Sequence, residues 1–230
     1  AVFSILRSQN VVAPSEFITD GKFLDVTVDV SDIYVVTERT INSATKRYVE
    51  MFDDQRTTDS NIQYFSGATS PDQSLPTTTT LSSLDHLKGK TVNVIRDDIV
   101  ESNKTVSNTG TITIASVPTS FVEVGLPYSV EVKTLPAEPR LPSGAVSSRK
   151  KRIVEVTPVV DRTQNLAVNG FEVPFEDLPV DLNVAREIFT GRKKVSALLG
   201  YSETEQITFT MTQPLFATVL SVEYKLSTGS

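Results

Sequence analysis

Phe23-Leu24-Asp25-Val26-Thr27-Val28-Asp29-Val30, then Ser31-Asp32, then Ile33-Tyr34-Val35-Val36-Thr37-Glu38-Arg39, is the stretch on which the fold turns. β-Branched and aromatic residues fill both runs, and a two-residue polar break separates them. Successive side chains of a strand point to opposite faces, so alternation of this kind suits a sheet rather than a helix. The pair reads as a β-hairpin turning at Ser31-Asp32. Lys46-Arg47-Tyr48-Val49-Glu50-Met51-Phe52 adds a third run after Asn42-Ser43-Ala44, which makes an antiparallel meander.

The same pattern continues outward. Residues 90–95, 110–114, 121–125 and 128–134 predict a second β unit, with Val92 and Val94 on one face and Ile112 and Ile114 on one face of their own strand. Residues 97–109 are polar and read as a loop tip. Residues 53–81 are polar, contain Gly67, Pro71, Pro76 and the run Thr77-Thr78-Thr79-Thr80, and read as a linker with one short strand at Ile62-Gln63-Tyr64-Phe65. Pro136, Pro139 and Pro142 exclude a helix or a central strand there and mark a crossover. Further strands are expected at residues 153–160, 194–200, 206–211 and 216–224. Pro158 implies an edge or a bulge, and Asn169-Gly170 a hairpin turn. Leu182-Asn183-Val184-Ala185-Arg186-Glu187-Ile188 is the best helix candidate, and it is short. The expected fold is all-β: a meander region over 1–81, a central β domain over 82–136 and a C-terminal β domain over 137–230, the last two sandwich- or barrel-like.

Composition removes several classes of function. With 230 residues the chain can bury a core without staples. It has no cysteine, which excludes disulfides and thiolate metal sites, and one histidine, which excludes metal sites built on two. A net charge of −6, from 22 basic and 28 acidic residues, argues against a dedicated nucleic-acid binder. No stretch approaches the roughly 20 apolar residues of a membrane helix. The opening Ala1-Val2-Phe3-Ser4-Ile5-Leu6-Arg7 lacks an initiator Met and a signal-peptide pattern, so a piece of a longer polypeptide is expected.

Candidate chemistry is sparse. His86, beside Asp85, has the side chains of an oriented general base, but no Gly-x-Ser-x-Gly turn supplies a nucleophile, and a turn residue is the favoured reading. Asp53-Asp54 and Asp97-Asp98 are adjacent acids in polar segments, whereas glycoside hydrolysis needs carboxylates facing across a cleft. No EF-hand spacing and no phosphate-cradling glycine loop occurs. No catalytic, cofactor-binding or metal-ligating residue is therefore assigned. Arg149-Lys150-Lys151-Arg152 is the strongest charge feature, a subunit or phosphate contact; without an interleaved aromatic it is not a base-stacking platform.

The order of several blocks carries more than any one residue. Thr19-Asp20-Gly21-Lys22-Phe23, Ile33-Tyr34-Val35-Val36 with Arg39-Thr40-Ile41-Asn42, Arg47-Tyr48-Val49-Glu50, Leu84-Asp85-His86-Leu87-Lys88-Gly89, Gly125-Leu126-Pro127-Tyr128 and Gln213-Pro214-Leu215 follow one another along the chain. In this order they resemble the distal part of the tail tubular protein B family, the tail nozzle of short-tailed bacteriophages. Many members carry a Trp shortly after the block matching Arg7-Ser8-Gln9, where this chain has Pro14 and Ser15. Residues 170–190 match least. The resemblance implies a propeller-derived meander and a homo-oligomeric ring, a hexamer. It also implies contacts with tail adaptor and tail fibre proteins, and genomic DNA passing through the lumen without sequence-specific binding. The setting implied is the virion tail, assembled in the bacterial host cytoplasm. It gives Gly125, Leu126, Pro127 and Tyr128 the role of a turn between strands, Gly125 by adopting positive φ. A receptor-binding or adhesin β-sandwich of a viral tail is the rival reading. A polysaccharide hydrolase is a third, disfavoured by the absence of tryptophan.

Overall fold

The computed structural model describes residues 2–6, 11–70, 73–137, 140–141, 144–145, 150–175, 185–196 and 200–228. The chain is all-β: among the described residues there is no α-helix, and antiparallel strand pairs recur along it. Residues 185–188 of the expected helix are irregular, and the rest of that segment lies outside the described residues. Contacts divide the chain into two compact units, one of residues 1–94 with 101–128 and one of residues 95–100 with 129–230.

The first unit runs β1 (Val2–Leu6), β2 (Val11–Ser15), β3 (Lys22–Asp29), β4 (Asp32–Ile41), β5 (Ala44–Met51), β6 (Asp59–Phe65), β7 (Thr80–Leu81), the larger parts of β8 (Thr91–Arg96) and β9 (Ile99–Thr105), β10 (Ile112–Thr113) and β11 (Phe121–Leu126). The expected meander is the sheet β3-β4-β5. Its second turn, Asn42-Ser43, has both residues at positive φ (52° and 65°), as a two-residue primed hairpin requires. The first turn comes one residue earlier than expected: Asp29 pairs with Asp32, so Val30 and Ser31 make the turn and Val30 takes φ 56°.

A four-stranded sheet, β6-β11-β8-β9, carries the aliphatic core of the unit. Val92 and Val94 point inward together, as do Ile112 and Ile114, and Val122 and Val124 meet them. Leu84, which precedes the 3-10 turn Asp85–Leu87, and Leu87, which ends it, are fully buried against the same core. Each such aliphatic side chain contributes about 1.5–3 kcal/mol of burial.

The short strand expected at Ile62-Gln63-Tyr64-Phe65 forms as β6, which starts earlier, at Asp59, and pairs with β11 with Tyr64 opposite Val122 and Ile62 opposite Val124. Ile62 and Tyr64 face the core between Asn61, Gln63 and Phe65. One part of this sheet differs from the sequence reading. β9 occupies residues expected as a loop tip; Asp97-Asp98, at φ 48° and 65°, is a tight turn between β8 and β9.

The second unit contains β12 (Val130–Lys133), β13 (Arg140–Leu141), β14 (Gly144–Ala145), β15 (Lys151–Thr163), β16 (Ala167–Val168), β17 (Phe171–Glu172), β18 (Phe189–Arg192), β19 (Val195–Ser196), β20 (Thr208–Met211) and β21 (Thr218–Thr228). β12, expected to complete the central domain, pairs instead with β20 in the sheet β12-β20-β16-β17. The Asn169-Gly170 turn between β16 and β17 forms as expected, at φ 50° and 83°. β15 is a central strand, with β21 on one side and β18 and β19 on the other. Pro158 is thus not on an edge. It falls between the stretches that pair with β19 and β18, beside a register shift at Val159/Val160, where a missing N–H does least harm. Ile153, Val156, Val160, Val168, Ile207 and Phe209 form this unit's core.

Candidate functional site

The most chemically loaded part of the molecule is the inner face of the meander. Strand alternation turns Val35, Thr37, Arg39 and Ile41 of β4 inward, so a guanidinium enters a position where an apolar residue is the default. Arg39 is fully buried, and its charge is met on several sides. Glu50 of β5 accepts from Nη2 at 2.7 and 3.0 Å and from Nε at 3.3 Å, a fork-to-carboxylate pairing. Asp59 at the start of β6 lies 3.6 Å away, the Asp20 carbonyl accepts at 2.8 Å, and Thr19 Oγ1 bonds both Arg39 and Asp59. Ser60 Oγ donates to Glu50 at 2.7 Å. Gly21 permits this closure: a Cβ there would run into the Glu38 carbonyl and stand 3.0 Å from Arg39 Cγ, and its φ is +146°.

Beside this network lies His86. Its Nε2 is 3.0 Å from the Ser60 carbonyl, which can only accept, so the neutral ring carries its proton on Nε2. Burial lowers the His86 pKa, against the opposing pull of the Ser60 carbonyl, Glu50 and Asp85. Burial alone would raise the Glu50 carboxyl, but hydrogen bonds from Arg39 and Ser60 and the Arg39 charge outweigh it and hold the carboxyl below its usual range. The His86 ring meets Tyr48 edge-on, and the two border an open groove of about 500 Å³ whose other walls include Ile41, Lys46, Asp85 and Lys88. Lys88 is paired with Asp85. The single imidazole thus ties the 3-10 turn to the start of β6 through the Ser60 carbonyl.

Elsewhere the residues singled out from sequence take structural places. Gly125 and Leu126 end β11 and the chain leaves the strand at Pro127, with Tyr128 half exposed. Gly125 is not at positive φ, which corrects the expected reason for a glycine. Its Cβ would overlap Thr58 Oγ1 and come 2.7 Å from the Asp59 carbonyl, and a register shift falls between Val124 and Leu126. Close approach at a bulge is what requires glycine. The next strand neighbour, Glu123, is buried and its Oε1 accepts four bonds from Thr57 and Thr58, at 2.7–3.3 Å. It clamps the segment entering β6 onto β11.

The basic cluster is split by the strand it sits on. Arg149 lies outside the described residues, and Lys150 is exposed. Lys151 turns inward, fully buried, with Nζ donating to the Ala137 carbonyl at 2.8 Å, so it cannot belong to an outward contact surface. Arg152 is half-buried with its guanidinium 5.3 Å from the Tyr201 ring centre. Period-two alternation, applied to the cluster itself, separates its charges in this way.

Arg39, Glu50, Asp59 and Glu123 were not picked out as a group from sequence. The available signal was parity: Arg39 shares the inward phase of Val35 and Ile41, and a buried arginine demands carboxylates. Among the described residues, no group of three or more His, Cys, Asp or Glu side chains is arranged to hold a metal ion. No family model and no curated protein matches this chain.

Proposed function

We propose that this chain is a structural component of a phage tail tube, a ring-forming wall segment of the channel through which DNA is ejected into a bacterial host. The observation that carries the proposal is the order of the sequence blocks shared with the tail tubular protein B family. The all-β fold is compatible with it. Support also comes from what the block residues do: the Arg39 and Glu50 blocks meet as the ion pair that closes the meander, Leu84 and Leu87 fill a core, and Gly125 lets two strands approach. Residues of a wall are expected to hold shape in this way. The net charge of −6 suits a conduit that phosphate should pass without adhering.

Light scattering coupled to size exclusion, with negative-stain microscopy of the same fractions, tests the proposal. A discrete species near six times the 25.2 kDa chain mass, seen as a ring with an open centre, is the expected result. A mass that never exceeds two chains at any concentration would count against it.

A further inference from the structure

The outer strand of the meander is unlike an ordinary protected edge. Among the described residues β3 has a strand neighbour, β4, on one side only, and all eight of its residues are exposed. On the face shared with the Arg39 network, Phe23 is 42% exposed and Val26 and Val28 are each 62% exposed. Phe52 stacks on Phe23 and meets Phe17 edge-on at 5.0 Å, which extends the uncovered apolar surface beyond the strand. A long edge strand with apolar side chains is a template for strand addition.

The pattern along the edge selects the occupant. Phe23 pairs with Thr37 and Asp25 with Val36, so Leu24 is an extra, bulged residue. Paired residues share a face, which puts Phe23, Val26 and Val28 on one side and Lys22, Asp25, Thr27 and Asp29 on the other. Place a second β3 antiparallel to the first with the two-fold axis through Val26, each bulge left unpaired. Lys22 then faces Asp29 of the second copy, Phe23 faces Val28, Asp25 faces Thr27 and Val26 faces itself, with like faces matched at every position. The two opposite charges closing the strand appear twice, and neither Lys22 nor Asp29 has an ion-pair partner within the described chain. Without the bulge, the charged ends and the apolar centre would fall on mismatched faces.

We propose that β3 is a self-complementary docking edge through which two copies of this chain pair, joining two three-stranded sheets into one of six strands. The contact is isologous, whereas a closed ring is built from heterologous contacts. The inference therefore goes beyond the tail-tube reading and does not rest on it.

Charge reversal tests it, with the mass of the full 230-residue chain followed by light scattering over a concentration series. The wild-type chain is expected to pass through a species of two chain masses as concentration rises, whether or not rings form beyond it. Lys22→Asp sets acid against acid twice per pair, and Asp29→Lys sets lysine against lysine twice. Each is expected to raise the dissociation constant by about tenfold or more. The double variant K22D/D29K restores opposite charges and should restore pairing. Circular dichroism of the variants, whose changed side chains lie in solvent, verifies that folding is retained. A wild-type monomer at every concentration, single variants that pair as well as wild type, or a double variant no better than the singles would each overturn the proposal. Ring-sized species indifferent to both single reversals would overturn it and leave the tail-tube reading standing. A two-chain species rescued by the double variant, with no ring, would support it and count against that reading.

Discussion

Two regions of the first unit hold together by different physics. The sheet β6-β11-β8-β9 closes over aliphatic side chains, with Leu84, Leu87, Val92, Val94, Val122 and Val124 all at 0% exposure. The meander β3-β4-β5 offers Val35 and Ile41 as its buried apolar residues and otherwise closes around Arg39, Glu50 and Asp59. Apolar burial is non-directional and indifferent to pH and salt of ordinary strength. A buried arginine is held only while its carboxylates stay charged and in place, and removing one partner strands the other. One region is therefore held chiefly by apolar burial, with the Glu123 clamp beside it, and the other is specific in register but conditional on solution conditions.

The largest effect should come from the apolar side. Leu87→Ala removes a fully buried side chain and leaves a cavity, at a cost of about 3 kcal/mol. Urea unfolding followed by hydrogen exchange should show β8 and β11 losing protection at neutral and acid pH alike. Next comes Arg39→Met, which keeps the volume but leaves Glu50 and Asp59 facing each other. Their side chains are 19% and 25% exposed, so water relieves part of the penalty, and about 2 kcal/mol is expected. Its exchange signature should be confined to β4 and β5, and acid should narrow the gap to wild type because protonated carboxyls no longer need the guanidinium. Equal loss of protection in both sheets would mean that the two regions are not separate in kind.

Acid should also distinguish them in the wild-type chain. His86 has its pKa lowered by burial, and Glu50 has its carboxyl held low by Arg39 and Ser60. A group whose folded pKa is depressed binds fewer protons folded than unfolded in the interval between the two values, so its stabilisation is complete above the unfolded pKa and lost as pH falls. For His86 the loss begins as pH drops below 6.5, and for Glu50 it begins below 4.5. Exchange in β4, β5 and β6 should therefore accelerate in two stages relative to β8 and β11, after correction for intrinsic rates. His86→Gln should abolish the upper stage and leave the lower one. Persistence of the upper stage in that variant would assign it to another group.

What could be read from sequence follows the same division. Alternation revealed the apolar strands because Val92, Val94, Ile112 and Ile114 signal burial by type as well as by spacing. It failed where the strand was polar: β9 carries Glu101, Asn103 and Lys104, and the opening residues of β6, Asp59, Ser60 and Asn61, gave no sign of a strand. The short strand read at 62–65 was legible, but its pairing with β11 was not. Ionic closure was harder still. Arg39, Glu50 and Asp59 are ordinary residues of a solvated surface until pairing registers bring them together from three strands, and register is set by turns whose positions a sequence gives only to within a residue or so.

The turn at Val30 shows how small such a shift can be, and it yields the smallest effect. Expected at Ser31-Asp32, the turn forms one residue earlier, and a β-branched residue then sits at φ 56° with its side chain 99% exposed. Valine in the left-handed region suffers a clash of Cβ with the following carbonyl, at about 1–2 kcal/mol, and here no packing compensates. The pairing of Asp29 with Asp32 outweighs this, because slipping by one residue would turn every side chain of β3 to the opposite face. Val30→Gly removes the clash but loosens the unfolded chain, so a net gain of about 0.5–1 kcal/mol is expected, read as a higher midpoint for the meander's exchange. Because the gain belongs to the meander alone, β8 and β11 should not change. A loss of stability on substitution would mean that the valine side chain has a partner, and a second copy of β3, whose strand ends beside this turn, would be the first place to look for it.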